Sequence, residues 1–144
     1  MPTSCPPAPK RFALYLPKVA ANEVDNLIST VEQFICRRFG GLTTYPAIGM
    51  YQNKRNELQR EEVVVLEGFG ELETWQEDGP ALYTLALTLA VMLRQETIGC
   101  SVDGRMFFVE PSAKDIARVS CRSPANLVDY VAAQSSFSSN QCPW

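Results

Sequence analysis

A chain of 144 residues, 46% apolar and 20% charged, has the size and make-up of one ordinary globular domain. Its net charge of -3 argues against a broad grip on nucleic acid, which needs a basic face. The chain holds no histidine, which removes the commonest general base, the Ser-His and Cys-His nucleophile pairs and imidazole-bound metals.

The five cysteines, Cys5, Cys36, Cys100, Cys121 and Cys142, are odd in number and form no C-x-x-C. They read as reduced thiols of a cytoplasmic protein, with neither a disulfide framework nor a zinc site. The start of the sequence lacks a basic segment followed by an apolar run, so no signal peptide is expected. The longest apolar stretch, residues 81–93, is broken by Thr84 and Thr88 and falls short of the ~20 residues that cross a bilayer. No membrane insertion is expected.

Taken in order, residues 1–10 are expected to be a disordered arm, with four prolines in the first nine positions. Residues 11–17 alternate Phe12, Leu14 and Leu16 against Ala13 and Tyr15 and predict a strand that Pro17 ends. Asn22 is a candidate N-cap with Glu23 and Asp25 behind it. Val24, Leu27, Ile28, Val31, Phe34 and Ile35 then recur at helical spacing, and Gly40 supplies the stop. Residues 42–51 predict a second strand. Its Pro46 cannot donate a ladder hydrogen bond, which places that strand at a sheet border. Residues 52–59 read as a polar loop and 61–67 as the third strand. An acid-rich loop with Trp75 leads to a helix starting near Pro80, whose stripe is Leu82, Leu85, Ala86, Leu89, Met92 and Leu93. The rest of that helix, Leu87, Ala90 and Val91, is also apolar, so another element or another subunit must cover it. A turn over residues 99–104 precedes the fourth strand, Arg105 to Val109. Residues 112–133 form a helical extension, with a helix opened by Ser123-Pro124, and 134–144 a disordered tail.

This order, strand-helix-strand-strand-helix-strand over residues 11–111, predicts an α+β ferredoxin-like βαββαβ sandwich. It comprises a four-stranded antiparallel sheet in the order 4-1-3-2, two helices on one face and an added C-terminal helix.

No motif carries chemistry outright. Glu61 and Glu62 are adjacent on a strand and point to opposite faces, so they cannot flank one bond. Cys36 lies near a helix C-terminus, which raises a thiol pKa, and reads as a semi-buried structural cysteine. Gly40-Gly41, Gly49 and Gly99-x4-Gly104 fit no phosphate-binding glycine pattern and read as caps and turns. The turn Asp103-Gly104-Arg105 can nonetheless present backbone amides and a guanidinium to an anion. Thr43 opens the border strand with a hydroxyl, and Arg118 adds a second guanidinium.

Several of these residues stand in an order that resembles the PII-like signalling proteins. The resemblance rests on Gly41-Leu42-Thr43, on Gly49 with Gln52 and Lys54, and on Ile98-Gly99. It continues through Asp103-Gly104-Arg105-Met106-Phe107, then Pro111 and Arg118, and spans residues 12–119. Residues 39–51 are also similar to small bacterial proteins with an F-G-G-x-T…G-x-[WY] pattern. The PII-like resemblance implies a homo-oligomer, dimer or trimer, that binds an adenine nucleotide and signals to a protein partner. The ligand would sit near Thr43, Gly49, Gln52, Asp103, Gly104, Arg105 and Arg118, and the loop over residues 52–59 would switch. Two other functions compete. One is a ligand-free interaction module using Leu87, Val91 and Trp144. The other is a small enzyme relying on Glu61, Tyr51 or Cys36 as proton carrier.

Overall fold

The computed structural model describes residues 8–120, 131 and 142–144. The first strand, β1 (Lys10–Pro17), puts Phe12, Leu14 and Leu16 wholly inside. A five-residue helix, α1 (Lys18–Asn22), follows directly, so Asn22 ends a helix and does not cap the next one. The long helix α2 (Leu27–Phe39) starts after Asn26, which takes a left-handed φ of 58°. It buries Leu27, Val31, Phe34 and Ile35, and Gly40 (φ 89°) closes it by donating its N–H to the Cys36 carbonyl at 2.9 Å. Cys36 itself is exposed, not semi-buried.

The strands β2 (Thr43–Gln52) and β3 (Leu58–Gly70) are longer than the sequence suggests. The polar loop between them shrinks to residues 53–57. Asn53 Oδ1 there accepts the N–H groups of Arg55 and Glu57 at 2.9 and 3.0 Å. β3 pairs with β1 only as far as Pro17 opposite Val63, so residues 48–62 run on as a two-stranded ribbon.

A 3-10 turn (Leu72–Thr74) leads into α3 (Trp75–Met92), which begins five residues before Pro80. The proline is inside the helix, and the first turn is held by other means. Glu77 and Asp78 suit the positive end of the helix dipole. The Trp75 ring lies so close over Gly70 that a Cβ there would come within 2.7 Å of it.

The chain then forms β4 (Ile98–Val102) where a turn was expected. Ile98, Cys100 and Val102 are buried while Gly99 and Ser101 face the other way. Asp103 (φ 50°) and Gly104 (φ 80°) make the two-residue turn into β5 (Arg105–Val109). The sheet has five antiparallel strands in the order β2-β3-β1-β4-β5, not four. The segment beside β1 is therefore Ile98–Val102, and Arg105–Val109 is pushed to the outer border. Pro46 does lie on the border strand β2.

One core unites Phe12, Leu14, Leu16 and Leu66 of the sheet with Val31 and Ile35 of α2 and Leu82, Leu85 and Leu89 of α3. The short helix α4 (Ala113–Ser120) packs on α3, and Val119 and Val131 join the same core. The expected arm over residues 1–7 and the helix opened by Ser123-Pro124 fall outside the described residues, save for helical Val131. No helix among the described residues is long and apolar enough to cross a membrane.

Candidate functional site: the open sheet face

Both long helices pack on one side of the sheet, and pairing register settles what the other side presents. Residues paired across strands share a face. Tyr45 pairs with Val65, Val65 with Tyr15, Tyr15 with Gly99, and Gly99 with Phe108. These five residues form one row across all five strands. The next row is Thr43, Glu67, Ala13, Ser101 and Met106. Ala13 and Val65 are 3% and 1% exposed, yet neither belongs to the core beneath the helices. Both are shielded in the middle of the sheet. Toward the borders that shielding stops: Tyr45 is 40% exposed, Met106 48%, Phe69 54% and Phe108 70%.

The polar groups on this face are already joined to one another. Glu67 accepts from Arg11 Nη2 and from the Tyr45 hydroxyl, each at 3.0 Å. Tyr15 and Ser101 hydroxyls lie 3.5 Å apart. The bond to Glu67 also pushes the Tyr45 phenol above its ordinary pKa. Beside the face, Asp103 accepts the Arg11 N–H at 2.9 Å and pairs with Lys10 Nζ at 3.1 Å, and its carboxyl is held below the usual range. Burial drives the Cys100 thiol up to about 12 and raises Cys142 and Tyr83 as well. Each of these shifts moves its group further from neutrality, so none is poised to trade protons near pH 7.

The residues expected to hold a nucleotide are not brought together within the chain. Thr43, Gly49 and Gln52 lie along β2 at one border of the sheet, while Asp103, Gly104 and Arg105 belong to the turn at the opposite side. Gln52 Nε2 bonds its own turn at the Asn56 carbonyl, 3.3 Å away. Asp103 is occupied by Lys10 and Arg11, and the Arg105 guanidinium rests 5.5 Å from the centre of the Phe107 ring. Arg118 is exposed on α4.

The residues expected to meet a partner are placed differently again. Leu87 is 8% exposed and part of the core, and α4 packs on the helix that carries it. Val91 is half-buried and lines an open groove of about 720 Å³ with Pro111 and Ile116. Trp144 does not hang free in a tail. Its indole packs against Tyr83 and Phe107. Glu61 and Tyr51 sit on the ribbon and Cys36 on α2, all exposed and on separate elements.

The open face is not visible in the sequence because its row joins positions 15, 45, 65, 99 and 108, which only register brings together. The one local signal is the alternation of Ala13 and Tyr15 against Phe12, Leu14 and Leu16.

No family model and no curated protein matches the chain. Among solved structures it is similar to a phage SAM lyase in complex with S-methyl-5'-thioadenosine. The identity is 13% and the TM-score 0.49, covering 76% of this chain and 95% of that one. The loop meant to switch is a five-residue turn tied by Asn53. The expectation of a PII-like sensor with a moving loop is overturned.

Proposed function

We propose that the chain is a self-assembling subunit whose open sheet face packs against the same face of a second copy. The observation that carries this is the row Tyr45, Val65, Tyr15, Gly99 and Phe108, which crosses the whole sheet on the side away from both long helices, with no element above it among the described residues. Tyr45, Phe69, Met106 and Phe108 are 40–70% exposed. As side chains of the ~150–250 Å² class they present on the order of 400 Å² of apolar surface. One partner in a standard interface contributes about 800 Å², of which roughly 450–500 Å² is apolar. The face supplies most of that.

Electrostatics favour a copy of this chain over a charged partner. In the two rows that cross all five strands, the one charged residue, Glu67, is already neutralised by Arg11, so these rows meet their own image without like-charge repulsion. Burial there leaves few polar groups without a bond. The strand order also supports a ferredoxin-like unit, β4-β1-β3-β2 with α2 and α3 on one side, to which β5 adds a border strand.

Light scattering on Phe108→Lys and Tyr45→Lys tests the proposal. Each should reduce an assembled wild-type mass to that of the 16.0 kDa chain. Val19→Lys, at a residue 69% exposed on α1, should leave the assembly intact. Assembly that survives Phe108→Lys and Tyr45→Lys unchanged would refute the interface.

A further inference from the structure

On the opposite side of the molecule, one aromatic contact behaves as a ligand does. Trp144 donates its indole Nε1–H to the Gly79 carbonyl at 3.1 Å. Its ring meets Tyr83 edge-on, with centroids 5.7 Å apart and planes at 88°, and Phe107 at 5.4 Å and 62°. An indole has a single donor, and that of the half-buried Trp144 reaches the backbone carbonyl of the fifth residue of α3.

The sequence of α3 shapes the surroundings of that carbonyl. Gly79 carries no side chain, and a Cβ there would come within 3.1 Å of the Trp75 indole. The missing side chain makes room for the Trp75 indole, and the carbonyl of the same residue receives Trp144. One residue on, Pro80 has no N–H and cannot give the helical bond to the Gln76 carbonyl. A cleft of about 390 Å³ opens at this spot, lined by Trp75, Gln76, Gly79, Pro80, Cys142 and Trp144. Trp144 forms part of its wall.

We infer that the surface formed by Gly79 and Tyr83 of α3 and Phe107 of β5 is a recognition site for a tryptophan side chain, and that Trp144 of this chain is its resident occupant. The chemical class it takes is a planar indole with a free N–H. The site lies on the helix side of the sheet, so it stands apart from the interface proposed for the open face.

The test uses the full chain carrying Trp144→Ala, with N-acetyltryptophanamide as probe and amide shifts as readout. The probe should shift Gly79, Tyr83 and Phe107 in Trp144→Ala, whereas the wild-type chain should need at least tenfold more probe for the same shifts. The 1-methylindole analogue, which has no donor, should bind Trp144→Ala roughly tenfold more weakly. Should Trp144→Ala not fold, Trp144→Phe keeps a ring and removes the N–H, and the Gly79 amide environment should then move in that variant. A folded Trp144→Ala with no probe-induced shifts would overturn the inference. So would equal binding of the methylated probe, or a Gly79 environment unmoved in Trp144→Phe.

Discussion

Replacing Arg38 by Met removes one guanidinium and nearly nothing else, and the structure sets what that should cost. Arg38 Nε donates to Asp78 Oδ1 at 2.9 Å, and Thr74 Oγ1 donates to Asp78 Oδ2 at 2.6 Å. The Asp78 side chain is only 12% exposed and that of Arg38 26%. The pair ties the last turn of α2 to the first turn of α3, each charge at the helix end that favours it. At that distance the gross attraction is about 6 kcal/mol for an effective dielectric near 20. Desolvation of both ions offsets much of it, but removing one partner strands the other, which costs about 3–5 kcal/mol in a fully buried pair. Partial exposure of Arg38 brings the expectation to about 2–3 kcal/mol. Met retains the packing of the Arg stem, so the loss isolates the charge. For a chain of this size the melting temperature should fall by roughly 5–10 °C. Thermal unfolding followed by circular dichroism reads this directly. A fall under about 1 °C would show that Asp78 is satisfied without Arg38, and the clamp between α2 and α3 would have no energetic content.

Other substitutions probe separate joints. Gly68→Ala puts a Cβ 2.8 Å from the Phe12 ring and 3.3 Å from the Gly41 carbonyl, so chemical denaturation should register a loss of about 1–3 kcal/mol. Asn53→Ala frees the N–H groups of Arg55 and Glu57, and hydrogen exchange should quicken across the ribbon, with a loss of about 1 kcal/mol. Asp103 has a folded pKa below its ordinary value, so its contribution is complete above about pH 4 and fades as pH falls through that lowered value. Asp103→Asn tolerates the same left-handed backbone. It should therefore cost at most about 1 kcal/mol at pH 7, and the difference should vanish in acid denaturation curves below the titration. At pH 8 the Cys100 thiol, pushed up to about 12 and buried, should resist iodoacetamide while exposed Cys36 is alkylated.

Much of the fold is legible where one local rule governs. The stripe from Leu27 to Ile35 and the stop at Gly40 announce α2, and Pro46 announces a border strand. Where two rules compete, local reading misplaces the element. Pro80 looks like a helix start, yet Trp75 packed over Gly70 and Gly79 anchors the helix five residues earlier. Gly99 looks like a turn, yet Ile98, Cys100 and Val102 alternate into the core, and Gly99 leaves space for Met106 and Tyr15. The apolar excess of α3 is visible in Leu87 and Val91, but only packing shows that α4 and Val131 meet it. The open face is least legible of all. Its row is made by register among five strands, and no stretch of sequence contains it.

Sedimentation of the unmodified full chain at micromolar concentration examines the proposed assembly most directly. The open-face interface predicts a species at two or more times 16.0 kDa that dissociates on dilution. A single 16.0 kDa species at every concentration up to about 100 µM, weaker than any specific interface of standard size, would contradict it.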